Sequence, residues 1–425
     1  MNICIFEDDR YRKFIPLAHF RPVYDLKCGM ATLSEKILRN FDHPTVILHS
    51  RDYLTGVLKE RYPNWSVNEI PSDAKTVLFI NGRLLLDKND ARRFEFTGKD
   101  VVYTKSNTVV AAWLSSNNLS AISRSFSTKP LALEGLTNIE RQELPDVKLI
   151  EFPWDLVTNN GAQLTEDFKI VTGGTPRIDG KVYDGVHLMN KSQIHISEGA
   201  KIKPGVVLDA EEGPIYIGKN VKVMPNAVIQ GPAFIGDNSL IKVGAKVYEN
   251  TTIGETCKVG GEVEESIVHA YSNKQHEGFI GHAYLGEWVN IGADSNNSDL
   301  KNDYGTVKVY NDNELVDTGS QFVGLTMGDH SKCGINSMFN TGTVVGACCN
   351  VYGAGLPPKY IPSFSWGGAS EGFETYKLGK AIEVARRVMA RRKIILSNAT
   401  EQLFKKVFEL TEKQRAIAGI RPETE

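Results

Sequence analysis

A six-residue beat runs through the second half of the chain. Every sixth position from Ile217 is aliphatic: Ile217, Val223, Ile229, Ile235, Ile241, Val247, Ile253 and Val259. Smaller side chains sit two residues earlier, among them Ala227, Ala233, Ala245 and Cys257, and turn formers such as Gly218, Pro225, Asn226 and Asn250 fill the gaps. The beat starts at Ile196, Ile202 and Leu208, slips by three near Gly213-Pro214, and returns as Leu285 and Ile291, then as Met327, Cys333, Phe339, Val345 and Val351. A period of six is too short for a helical repeat and too regular for a sandwich. It suits a solenoid of short parallel strands, a β-helix, in which each inward aliphatic stacks on its equivalent one coil away.

The rest of the chain is differently organised. Residues 1–153 alternate short strands (Asn2–Phe6, Thr45–His49, Lys75–Ile80, Asp100–Tyr103) with helical stretches (Thr32–Asn40, Tyr53–Arg61), which predicts an α/β, Rossmann-like domain with ligands at the carboxyl ends of its strands. A helical connector is expected over 154–179, the repeats over 180–368, and a helical C-terminal tail over 369–425. The tail's Arg386-Arg387 and Arg391-Arg392-Lys393 read first as a solvated helix face paired with nearby acids. A net charge of −2 predicts no nucleic-acid or anionic-membrane partner, and no apolar run has the length of a membrane span. The charged residues that follow Met1–Phe6 are unlike a signal peptide, and six cysteines with no metal or disulfide spacing point to a reducing, cytoplasmic compartment.

Two segments break the beat, Val268–Gly278 and Asp294–Tyr304, and both are expected to leave the stack as loops that can carry a site. Between them stands Gly281-His282-Ala283-Tyr284-Leu285-Gly286-Glu287-Trp288-Val289-Asn290-Ile291-Gly292-Ala293. This stretch resembles the acetyltransferase half of the bacterial bifunctional enzymes that make UDP-N-acetylglucosamine from glucosamine-1-phosphate. Gly328–Asn336 is similar to a stretch of that family's variant, alternative branch. The resemblance implies a left-handed parallel β-helix, a homotrimer and an N-terminal nucleotidyltransferase domain; the general crossover rule alone would favour the other hand.

Carried over by position, the resemblance gives His282 the role of general base, which an imidazole suits because the acceptor amine must lose a proton as it attacks acetyl-CoA. Glu264 matches an acid that contacts the sugar, and Asn290 an asparagine by the site's floor. Asn296, Asn297 and Lys301 lie in the second loop, though Ser266 and Asn296-Asn297-Ser298 depart from the family pattern and leave the acceptor open. Asn296-Asn297 also fits a simple turn. His276 and His330 are further candidates, with Asp329 placed to orient His330, and a polar or capping role is the alternative for each.

The strand Asn2–Phe6 is followed by Glu7-Asp8-Asp9-Arg10, without the glycine-rich loop usual in sugar nucleotidyltransferases. In its place Phe20–Gly29 resembles the Arg-Pro signature of the variant domain. The resemblance makes Arg21 and Lys27 phosphate ligands. Asn81 and Gly82 follow the strand ending at Ile80, a favourable place for a ligand contact, and Asp155 is placed to reach back as a metal ligand for the Mg²⁺ that the reaction needs. Arg21 as a structural ion-pair residue, Asn81-Gly82 as a turn and Asp155 as a helix cap remain the alternatives. The function implied is acetyl transfer to glucosamine-1-phosphate from acetyl-CoA and uridylyl transfer from UTP. The rivals are a sugar-1-phosphate nucleotidyltransferase with a β-helix that only oligomerises, and a non-catalytic regulatory subunit.

Overall fold

The computed structural model describes residues 1–422 except 124–125, 127–130 and 132. Near its N-terminus the chain forms a seven-stranded sheet from β1 (Asn2–Phe6), β2 (Thr45–His49), β3 (Ser66–Val67), β4 (Thr76–Asn81), β5 (Val101–Lys105), β6 (Thr108–Ser115) and β7 (Glu140–Glu143). The strand order is β3-β2-β1-β4-β6-β5-β7, with β1 parallel to both β2 and β4. The chain first builds outward from β1 on one side and then crosses to the other. The crevice at the carboxyl ends of β1 and β4 is therefore a topological switch point. The inner strands β1, β2, β4, β5 and β6 are largely apolar because both faces are covered, one by helices α1 (Leu33–Leu38) and α2 (Thr55–Arg61), whereas the edge strand β7 is charged and exposed. Thr32 caps α1 in a reciprocal box with Glu35.

From Lys181 onward the chain winds into a parallel β-helix of three sheets, two of six strands and one of nine. Ile217 pairs with Ile235 and Ile235 with Ile253, so one coil is three of the six-residue steps seen in the sequence. The ladder continues through Val268, Leu285, Met327, Val345 and Ile361, all fully or nearly fully buried. Corners need a left-handed backbone residue, and Asn220, Asn226, Asn238 and Asn250 supply it with φ between 54° and 61°.

The first expected loop is corrected. Val268–Gly278 stays in the stack as part of a coil, whose strands Ile267–Val268 and Asn273–Lys274 pair with the coil before it. The beat is hidden there because this coil is short, with Val268 opposite Ile253 where the full coil sets Ile253 opposite Ile235, and because Lys274 occupies the inward place that Val259 fills one coil earlier. The second expectation holds in part. Asn296–Asn297 still pairs within the solenoid, with Met338–Phe339, and the chain leaves the stack only after it. This excursion carries a hairpin of Lys308–Asn311 and Glu314–Asp317, closed by Asp312 and Asn313, both at positive φ.

The connector is two helices, α3 (Pro153–Thr158) and α4 (Asn160–Thr172). The tail holds α5 (Leu378–Ala390), α6 (Asn398–Leu410) and α7 (Glu412–Ile417). The first half of its basic stripe has the expected acidic partners, Arg386 with Glu401 and Arg387 with Glu383, whereas Arg392 of the second half donates to Asn273 of the solenoid. One continuous apolar core joins the N-terminal sheet, the coils around Ile267 and Tyr284, and Phe404 of α6. Among the described residues no helix is long and apolar enough to cross a membrane.

Candidate functional site

The strand Phe279–Gly281 ends at a corner occupied by His282, whose φ is +46° and whose amide donates to the Glu264 carbonyl one coil below. Its imidazole lies between two carboxylates. Nδ1 is 2.9 Å from Asp299 Oδ2 and Nε2 is 3.2 Å from Glu265 Oε2. The ring stacks on Phe322, with centroids 5.0 Å apart. A Cβ on Gly281 would lie 2.4 Å from Asp299 Oδ2, so glycine is what lets that carboxylate reach the ring. Burial works against the charged imidazole, but the bonds to Asp299 and Glu265 outweigh it and raise the pKa to about 9. His282 is thus an imidazolium at neutral pH, and its bond holds the Glu265 carboxyl below its ordinary range. Burial raises the neighbouring Glu264 instead.

Asn297 braces this corner from the next coil. Its Oδ1 accepts from the Gly281 amide at 3.1 Å and its Nδ2 donates to the Gly281 carbonyl at 2.9 Å. Asn296 accepts from the Phe279 amide at 2.7 Å, so both asparagines form a stacked ladder rather than a loop. Lys301, on the excursion that carries Asp299, faces Asp303 at 3.1 Å. Glu264 opens onto a cleft of about 750 Å³ bounded by Gly161 and Thr165 of α4 and by Asp209, Tyr248 and Glu249 of the solenoid.

The other solenoid candidates lie elsewhere. Asn290 bridges Asn273 and Lys332 along a different face of the coil. His276 is exposed, and its carbonyl accepts from Lys274 Nζ. His330 is buried among Trp288, Phe20 and Phe404, and burial holds its pKa well below the ordinary imidazole value. Asp329 does not orient it; that carboxylate faces Arg21 at 2.5 Å and accepts from the Glu287 amide.

Arg21 is 2 % exposed, and its guanidinium bonds to Asp329 and to Glu287 at 2.9 Å, inside the contact between sheet domain and solenoid. Lys27 reaches Glu255 of the solenoid at 2.7 Å. Both cations therefore meet carboxylates, the structural alternative weighed for Arg21. Asn81 donates to Asp8 and to the Val109 carbonyl, and the Gly82 amide donates to the Phe6 carbonyl, where a Cβ would strike Tyr24. Asp155 accepts from the Glu151 and Phe152 amides, which is the helix-capping alternative. At the switch point, Arg83 grips Asp8 through Nε and Nη2, and Asp8, Asp9, Arg10, Thr108 and Glu134 line a crevice of about 430 Å³.

The sugar nucleotidyl transferase family model matches residues 3–175, the sheet domain and the connector. This part of the chain is a sugar nucleotidyl transferase domain. The chain is similar to several bifunctional proteins at modest identity. The bifunctional protein GlmU of Synechococcus elongatus is 27% identical over 226 residues, 48% of this chain and 45% of that protein. A bifunctional sugar-1-phosphate nucleotidylyltransferase/acetyltransferase of Sulfurisphaera tokodaii is 30% identical over 158 residues, 37% of this chain and 38% of that protein. The chain spans less than half the length of these curated relatives. A UDP-N-acetylglucosamine acyltransferase structure from Campylobacter jejuni aligns over 56% of this chain and 91% of its own, at 13% identity and a TM-score of 0.20. The β-helix is accordingly assigned from the strand pairing above.

In this nucleotidyl transferase domain the crevice offers a cation little. Among the described residues no three His, Cys, Asp or Glu side chains converge as a metal cage. Asp8 is already held by Arg83 and Asn81, whereas Asp9 is exposed at the rim. One or two carboxylates beside substrate phosphates is the usual donor set for Mg²⁺, so the residues fit a cation that arrives with the nucleotide. Sequence reasoning missed Asp299, Glu265 and Phe322 around His282. Glu265 is adjacent to a residue that was singled out. Asp299 and Phe322 sit at the two ends of the excursion, and no local pattern signals that the ends meet.

Proposed function

We propose that the chain activates an amino sugar in two steps: acetyl transfer from acetyl-CoA to glucosamine-1-phosphate at the β-helix corner, and uridylyl transfer from UTP at the switch-point crevice. The observation that carries this is the His282 imidazole held between Asp299 and Glu265, next to Glu264 and the cleft, in a chain whose N-terminal part is a sugar nucleotidyl transferase domain. In the free protein His282 is protonated and cannot act as a base. A substrate ammonium entering the cleft would draw the Glu264 and Glu265 carboxylates to itself. The ring would then lose its partner at Nε2, its pKa would fall, the Nε2 proton would pass to solvent, and the neutral nitrogen could take a proton from the amine. The amine nitrogen then bonds to the thioester carbon, and the carbon–sulfur bond breaks. The proton held on His282 passes to the departing thiolate, and the second proton of the former ammonium leaves the new amide nitrogen for solvent in the cleft, so that ammonium and thioester give amide, thiol and one proton. Asp299, bonded to Nδ1, keeps the ring oriented throughout.

At the crevice, Asp9 with the substrate's phosphate oxygens would hold Mg²⁺, which supplies charge neutralisation at the α-phosphate. Arg10 at the same rim can contact phosphate oxygens. Arg21, Lys27, Asn81 and Gly82 act in this reading as the framework that shapes the crevice and ties it to the solenoid. A homotrimer in the cytoplasm, sharing each acetyl site between subunits, completes the proposal. The test is mass spectrometry of products after incubation with glucosamine-1-phosphate, acetyl-CoA, UTP and Mg²⁺, with single omissions. UDP-N-acetylglucosamine that vanishes without acetyl-CoA supports both half-reactions. Product formed only from N-acetylglucosamine-1-phosphate and UTP would remove the acetyl step, and no product from any combination would favour a non-catalytic subunit.

A further inference from the structure

One face of the solenoid carries a single sign of charge. In the six-stranded sheet from Lys181–Val182 to Asn273–Lys274, the outward residues in register are Lys181, Lys201, Lys222, Leu240, Lys258 and Asn273. Lys203 and Lys242 stand two residues after Lys201 and Leu240, on the same side. Arg392 of the tail extends the row by donating to Asn273. Among the described residues none of these lysines pairs with a carboxylate, and Lys181 and Lys203 rest on the Tyr183 ring. Stacked strands bring in-register neighbours to about 4.8 Å, and like charges directly opposite one another are destabilising. Lysine protects an exposed sheet edge, but that reason covers only the terminal strand at Lys181. Lys201 and Lys222 lie on inner strands, so the row calls for an anionic surface outside the chain.

The next face round the coil has the opposite sign. Its strands turn Asp209, Glu262 and Glu264 outward, and Lys246 among them is 3.5 Å from Glu277. The cleft beside Glu264 adds Glu212 and Glu249, with no lysine or arginine among its described lining residues. The chain turns from the basic face to the acidic one through a corner where Pro204 is exposed and Val243 is 58 % exposed. Ile335, at the same corner of a later coil, is 68 % exposed. An apolar edge between a basic face and an acidic face is complementary to a copy of itself. The lysines and the cleft acids also occupy the same coils, residues 201–264, so copies with parallel axes bring them level.

We propose that the lysine face of one copy docks on the acidic face of the next, closing a ring about the Val243 edge and bringing the partner's lysines to the acetyl cleft. Repeated, such a head-to-tail contact closes as a ring, and three copies give the homotrimer proposed above. For the cleft, the inference rests on the shared-site reading of the preceding subsection. An acceptor phosphate entering among carboxylates then finds its counter-charge on the partner's lysines.

Light scattering on the full chain without substrate reads the ring directly. The parent should give three chain masses. Lys201→Glu with Lys222→Glu should lower this to one, and so should Asp209→Lys with Glu262→Lys. All four changes together exchange the signs and should restore the ring. Amine labelling of the parent, read by mass spectrometry, needs no substitution. Lys201 and Lys222 should react at least tenfold more slowly than Lys413, which is exposed on the tail. A parent of one or two chain masses, a ring that ignores both pairs of changes, a fourfold variant that stays monomeric with the parent's circular dichroism, or equal labelling would overturn the proposal. So would a monomeric parent retained on heparin, which gives the face to a polyanion. A ring lost with acetyl transfer retained would remove the partner's share in the site. A parent that forms the ring but transfers no acetyl group counts against the reading of the site and leaves the contact standing.

Discussion

His282 combines a raised pKa with a role that needs the neutral ring, and this tension makes it testable. In the proposed reaction, His282→Asn should cut acetyl transfer by at least ~100-fold. Uridylyl transfer to N-acetylglucosamine-1-phosphate should be unchanged, and coupled assays with and without acetyl-CoA separate the two. Asp299→Asn removes one of the carboxylates that raise the His282 pKa to about 9. The acid limb of the acetyl-transfer pH–rate profile should then move to lower pH, while the maximum rate falls because Nδ1 loses its orienting acceptor. The stability effect has the opposite sense along the pH axis. The folded-state pKa lies above the unfolded value near 6.5, so the contribution is complete below that value and is lost as pH rises through about 9. Urea unfolding of the parent and of His282→Asn at pH 6 and pH 9 should show a difference that shrinks at the higher pH.

At the scale of a coil, the solenoid tolerates polar residues on its inward ladder only where they are satisfied. Lys274 takes an aliphatic position and donates to the His276 carbonyl, and burial lowers its pKa to about 8. Replacing an enclosed charge by an apolar side chain is often stabilising, so Lys274→Leu should raise stability by about 1–3 kcal/mol in chemical unfolding at pH 7. The advantage should shrink as pH rises from about 8 toward 10.5, because the wild-type lysine then folds in its neutral form. Asn297 is the converse case. Its amide satisfies both backbone groups of Gly281, and Asn297→Ala should cost about 1–3 kcal/mol and lower acetyl transfer by letting the His282 corner move.

Across the whole molecule, Arg21 links sheet domain and solenoid. Removing it would strand Asp329, whose pKa burial already raises, and Glu287, which Arg21 and Arg61 hold well below the carboxylate range despite its burial. Arg21→Met should therefore destabilise the chain by about 3–5 kcal/mol, and calorimetry should show a split or broadened transition where the parent gives one. An unchanged single transition would mean the ionic cluster does not couple the two parts. The hexapeptide ladder, the α/β character of the first residues, the connector and the helical tail were legible in the chain because each follows from a local period or a cap. The same locality made Val268–Gly278 read as a loop, since a shortened coil shifted the beat and Lys274 broke it, while backbone stacking carried on. The family resemblance also singled out His282, inside the contiguous motif Gly281–Ala293, and Glu264 by position. Only the tertiary structure decided that Asp299, Glu265 and Phe322 surround that histidine and that Arg21 faces carboxylates more than two hundred and fifty residues away. Those juxtapositions depend on how an excursion returns and how domains dock, and short-range periodicity carries no information about either.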